Sequence, residues 1–159
     1  MTVARFEHVS TVQYARDMQL PGAMMVEDIP LPRRATRGSA GYDFTCPVEV
    51  TLAPGEQAVV PTGIRVHIEP GWVLLNVPRS SLGRRHGIRL ANTVGVIDSD
   101  YYGADNEGHI LVTLVNGGDH TVTIGRGERF CQGILVPFGL AEEEDVAGVR
   151  SGGFGSTGA

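Results

Sequence analysis

The strongest constraint on the fold is hydrophobic periodicity: apolar residues alternate with polar ones in short runs, and turn residues close each run. Ile64, Val66 and Ile68 alternate with Arg65 and His67 before Glu69-Pro70-Gly71. Val48 and Val50 alternate with Glu49 and Thr51 before Ala53-Pro54-Gly55-Glu56. Side chains on a strand point to opposite faces in turn, so these runs read as half-buried strands, with His67 an exposed strand residue rather than a ligand. Residues 57–80 read as two strands about the turn at 69–71. Residues 109–116, 121–124 and 129–138 add further strands. Roughly nine or more short strands at close spacing predict an all-β sandwich or jelly roll. The one helical signal lies near 10–20. Ser10 followed by Gln13 has capping-box spacing, and Pro21-Gly22 ends the segment. The 159 residues suit one domain, read here as 1–147, followed by a glycine-rich arm at 148–159.

Composition excludes several classes. The formal net charge is −5, so the chain has no general nucleic-acid footprint. No apolar run approaches the roughly 20 residues that span a membrane, and the N-terminus lacks the apolar core of a signal peptide. The two cysteines, Cys46 and Cys131, lie far apart without metal-ligand spacing, and we read them as free thiols in a reducing cytoplasm. All 13 basic residues are arginine. Any anion recognition therefore uses guanidinium forks, which suit bidentate contacts to phosphate.

Several stretches look like parts of a site. Residues 92–103, NTVGVIDSDYYG, combine an amide (Asn92), a turn glycine (Gly95), the acids Asp98 and Asp100, and the aromatic pair Tyr101 and Tyr102. That layout could hold a base and sugar and place an acid beside them, although a β-hairpin with a polar tip would use similar residues. Residues 78–92 read as a basic loop carrying Arg79, Ser80, Ser81, Gly83 and further arginines, a mixture suited to phosphate. In 39–46, Gly41 marks a close approach at the start of a strand that carries Asp43. Gln132 interrupts an apolar strand and needs hydrogen-bond partners. The tail brackets Phe154 with glycines and follows it with Ser156 and Thr157. It reads as a disordered end or as an arm that orders over a ligand.

Together these stretches resemble the five motifs of the all-β, homotrimeric dUTP pyrophosphatases (dUTPases). SAGYDF (39–44), PRSSLG (78–83), ANTVGVIDSDYYG (91–103), GERFCQG (127–133) and RSGGFGSTG (150–158) occur in the family's order. The resemblance implies hydrolysis of dUTP to dUMP and pyrophosphate by water attack on the α-phosphorus. That reaction limits uracil in DNA and supplies dUMP for thymidylate synthesis. The resemblance also implies sites shared between three subunits, a mobile C-terminal arm, and magnesium.

By the same resemblance, Asp98 orients the attacking water and Tyr101 lies against the deoxyribose. Asn92 meets the uracil edge, with the backbone around Gly95 and Ile97 beside it. Arg79, Ser80, Ser81 and Gln132 serve the phosphates. Asp43 contacts the water shell of the Mg2+ ion. Phe154 caps the uracil, and Gly155, Ser156 and Thr157 reach the terminal phosphate.

Three departures from the family pattern stand out. Val149 occupies the place of the usual fifth-motif arginine, so Arg150, four residues before Phe154, is the candidate for that role. ADNEG (104–108) looks like an insertion that extends the hairpin and alters subunit contacts. Phe130-Cys131 replaces smaller residues before Gln132 and reads as altered core packing. Two alternatives remain open on the sequence: a dCTP deaminase-like relative, and a dUTP-sensing binding protein with a regulatory partner.

Overall fold

The computed structural model describes residues 1–142 and residue 148. The expected arm at 148–159 therefore falls almost wholly outside the described residues. In chain order the elements are β1 (Ala4–His8), α1 (Thr11–Asp17), β2 (Arg33–Arg34), β3 (Gly41–Thr45), β4 (Val50–Leu52), β5 (Gln57–Pro61), β6 (Ile64–Ile68), β7 (Trp72–Pro78), α2 (Ser80–His86), β8 (Ile88–Leu90), β9 (Gly95–Ile97), β10 (Leu111–Asn116), β11 (Val122–Ile124) and β12 (Arg129–Pro137). Short 3-10 turns occupy Val26–Asp28 and Ser99–Gly103.

The all-β expectation holds. A five-stranded sheet runs β2-β3-β12-β7-β9 and a three-stranded sheet β5-β10-β8, with the pairs β1-β6 and β11-β4 beside them. Every pairing is antiparallel. One apolar core draws Phe44, Leu74 and Phe130 from the large sheet, Val60, Ile88 and Leu114 from the small one, and Ile64, Val66 and Ile68 from β6. Burying each such side chain contributes about 1.5–3 kcal/mol, so the alternation that marks these strands is also what holds the sheets together.

Four local expectations need correction. Residues 57–80 form three strands rather than two, because Thr62-Gly63 breaks the first run and Gly63 takes φ +73°. Residues 80–86 form the helix α2 rather than a loop. Strands β8 and β9 do not pair into a hairpin: β8 pairs with β10 and β9 with β7. The segment 104–108, expected as an insertion, extends no hairpin either. Glu107 turns back onto α1, accepting the Ser10 amide at 2.8 Å and the Ser10 hydroxyl at 2.6 Å.

Half of the predicted capping box is present, since Ser10 Oγ accepts from the Gln13 amide at 3.1 Å. Gln13 instead donates to Asp17 Oδ2 at 2.8 Å, and Glu107 takes the place a reciprocal glutamine would fill.

Candidate active site

A cavity of about 570 Å³ opens where the inner face of β7 and β9 meets the ends of β8 and β10. Asn76, Asn92, Gly95, Ile97, Asp98 and Tyr101 contribute to its lining. The turn between β8 and β9 is tight: the Val94 amide donates to the Asn92 carbonyl at 2.7 Å. Thr93 sits at φ +65° within it, a left-handed conformation that a β-branched residue adopts only under constraint. That turn sets the position of Asn92 at the cavity rim.

Asp98 precedes the 3-10 turn Ser99–Gly103, and its side chain does not cap that turn. Tyr101 is buried. Its hydroxyl donates to the His109 carbonyl at 2.8 Å and accepts from Asn106 Nδ2 at 2.8 Å. Tyr102 points elsewhere: its hydroxyl donates to Glu7 Oε2 at 2.7 Å and its ring lies 4.4 Å beneath the Arg65 guanidinium. Adjacent tyrosines thus separate into one that lines the cavity and one that packs β1 against β6.

His109 is fully buried behind Tyr101. Its Nε2 accepts the Gly63 amide at 2.8 Å, so the ring proton sits on Nδ1 and is donated to Asp17 Oδ2 at 2.5 Å. Burial pushes the imidazole below its ordinary pKa, with Asp17 opposing that shift. The ring is therefore neutral, and it joins α1 to the cavity wall.

A second group forms on the opposite face of the large sheet. Asp43 lies between two guanidiniums, with Oδ1 3.1 Å from Arg79 Nε and Oδ2 3.1 Å from Arg129 Nη1. A hollow of about 240 Å³ beside it also gathers Arg33 and Arg34. Gln132 pairs with Asp43 across β3 and β12, and its side chain covers Gly41, where a Cβ would stand 2.1 Å from Gln132 Oε1. The close approach expected at Gly41 is thus made by a side chain. Ser80 and Ser81 begin α2 and are exposed.

The register explains why these groups separate. Phe44, Leu74 and Asn76 point inward, and Gly133 pairs with Asn76. The adjacent pair, Gln132 with Val77, must face outward, and Asp43 opposite Gln132 faces the same way. Within one chain, then, Asn92, Asp98 and Tyr101 lie on the inner side, and Asp43, Arg79 and Gln132 on the outer.

Arg150, Phe154, Gly155, Ser156 and Thr157 lie outside the described residues. Among the described residues no group of three or more His, Cys, Asp or Glu is arranged to hold a metal ion. Asp43 uses both oxygens on arginines, so it suits a cation's water shell better than direct ligation.

The family model described as dUTPase matches residues 27–158. The chain belongs to the dUTPase family. The deoxyuridine 5'-triphosphate nucleotidohydrolase of Lactococcus lactis subsp. lactis is 46% identical over 134 residues, covering 82% of this chain and 89% of the relative. The enzyme of the same name from Escherichia coli O9:H4 is 41% identical over 150 residues, covering 89% and 96%. Among solved structures, the dUTPase from Streptococcus mutans superposes with a TM-score of 0.69 at 37% identity, covering 86% of this chain and 98% of that one. Three residues that line or brace the cavity, Asn76, Asn106 and His109, are not singled out by the sequence. Asn76 sits in an apolar strand run, and the other two act through contacts that no spacing reveals.

Proposed function

We propose that this chain hydrolyses dUTP to dUMP and pyrophosphate in a site that copies of itself complete. The observation that carries the reading is the division between faces. The inner cavity has the size and lining for a base and sugar, and the outer hollow gathers Arg33, Arg34 and Arg129 around Asp43 where a polyphosphate would suit. Within one chain the large sheet stands between the two groups. A homotrimer, in which the inner cavity of one copy meets the outer face of the next, unites them.

In that site Asn92 and the backbone about Gly95 and Ile97 hold the uracil. The Tyr101 ring lies against the deoxyribose, where a 2′-hydroxyl would clash. Arg79, Ser80, Ser81 and Gln132 from a neighbouring copy hold the phosphate chain. The segment carrying Arg150, Phe154, Gly155, Ser156 and Thr157 closes over base and terminal phosphate. Asp98 orients a water and accepts its proton as the oxygen attacks the α-phosphorus. The bond from that phosphorus to the bridging oxygen breaks, and pyrophosphate leaves. Asp43 would hold the water shell of a magnesium ion, which when bound would supply charge neutralisation at the phosphates. No helix among the described residues is long and apolar enough to cross a membrane, and the two buried free thiols suit a reducing cytoplasm.

The test is pyrophosphate release from dUTP, dTTP, dCTP and UTP, with and without magnesium. Release from dUTP alone is expected. Ammonia from dCTP would support the deaminase-like alternative instead.

A further inference from the structure

In the middle of the large sheet, Asn76 lies directly opposite Gly133 of β12 on one side and Gly95 of β9 on the other. Neither neighbour has a side chain. A Cβ on Gly133 would stand 3.1 Å from Asn76 Oδ1 and 2.8 Å from Leu74 Cδ1, and one on Gly95 would stand 3.2 Å from Asn76 Cβ. The two glycines therefore leave room for one carboxamide, whose Oδ1 packs over Gly133. Asn76 is only 2% exposed and lines the cavity, yet its Oδ1 has no hydrogen-bond partner among the described residues. Buried side-chain polar atoms are nearly always bonded, and leaving one unbonded is costly. Leu74, two residues earlier on the same face, is fully buried in the core. An amide in the next inward position, open to a cavity, is best explained by a partner that the chain itself does not supply.

We propose that Asn76 is a base-binding residue, whose carboxamide hydrogen-bonds the pyrimidine ring seated in the cavity. The inference rests on the dUTPase reading above. The edge of uracil presents carbonyl, N–H and carbonyl in sequence, and a carboxamide carries one acceptor and one donor side by side. It can engage two adjacent groups of that edge. A half-turn of the amide exchanges donor and acceptor, so Asn76 contributes affinity for a pyrimidine edge, and the fixed backbone of the 92–97 turn determines which pyrimidine is held.

The experiment compares wild type, Asn76→Leu and Asn76→Ala by steady-state kinetics on dUTP and by melting of the free protein. Both variants should raise KM about tenfold, in line with the loss of one hydrogen bond, with kcat within about twofold. The leucine variant should melt no lower than wild type, because the orphaned amide is gone. An unchanged KM in either variant overturns the inference. A lower melting point with unchanged KM would mean that Asn76 serves the fold through a buried water. If wild type releases no pyrophosphate from dUTP, the functional reading itself fails. If wild type is active and both variants match its KM, only the role of Asn76 fails.

Discussion

Glu107 receives both the backbone amide and the hydroxyl of Ser10, at 2.8 and 2.6 Å, although 97 residues separate them. The acid of the 104–108 segment thereby tethers the first helix. Those same bonds hold its carboxyl below the usual range. Glu107→Ala should destabilise α1 by about 1 kcal/mol, discounted for its partial exposure. Amide exchange across residues 11–17 should accelerate while that of β10 stays unchanged. Equal protection of α1 in the two proteins would sink the tether.

His109 makes stability depend on pH. Its folded pKa is depressed chiefly by burial, so the unfolded chain takes up this proton first as pH falls. The contribution is complete above about pH 6.5, the ordinary histidine value, and is lost as pH falls from there through the folded pKa. Melting temperature should drop between pH 7.5 and 5, and His109→Gln should flatten that slope. A variant with the wild-type slope would place the titration elsewhere.

Asp98→Asn keeps the shape of the side chain and removes its ability to take a proton. Turnover should fall about 10²–10⁴-fold, while a non-hydrolysable dUTP analogue still raises the melting temperature as in wild type. Turnover near the wild-type rate would remove Asp98 from its role.

The division of the site between faces can be tested by mixing. Asp98→Asn and Gln132→Ala should each be weakly active alone. Co-expressed, they should recover activity above the sum of the two, because some mixed assemblies hold a site with both groups intact. Strict additivity would mean that each chain builds its own site.

The strands were legible because alternation is local: Ile64, Val66 and Ile68 declare their inward face without reference to any other residue. The helix α2 was not, because its seven residues bury no side chain and so carry no apolar stripe. Only its end carries a signal. Gly87 takes φ +67° as a left-handed cap, and Arg84, Arg85 and His86 fill the last turn, where positive charge is favoured. Asp98, Asn92 and Tyr101 were found because they fall within twelve consecutive residues. The link from Asp43 to Arg129 spans 86 residues, and the opposition of inner and outer groups follows only from strand register. Asn76 is one polar residue in an apolar strand, and only the strand register shows that glycines on β9 and β12 make room for its side chain.

The depth of the two cysteines has a practical consequence. Cys46 and Cys131 are both fully buried; burial pushes the first thiol up to about 11 and the second well above its ordinary value. Neither supplies the thiolate that alkylating reagents attack. The chain also has no lysine to compete for electrophiles. A cysteine introduced at Val12, which is 63% exposed, would therefore accept a maleimide dye in the otherwise native sequence. Fluorescence could then follow the first helix during nucleotide binding without removal of either native thiol.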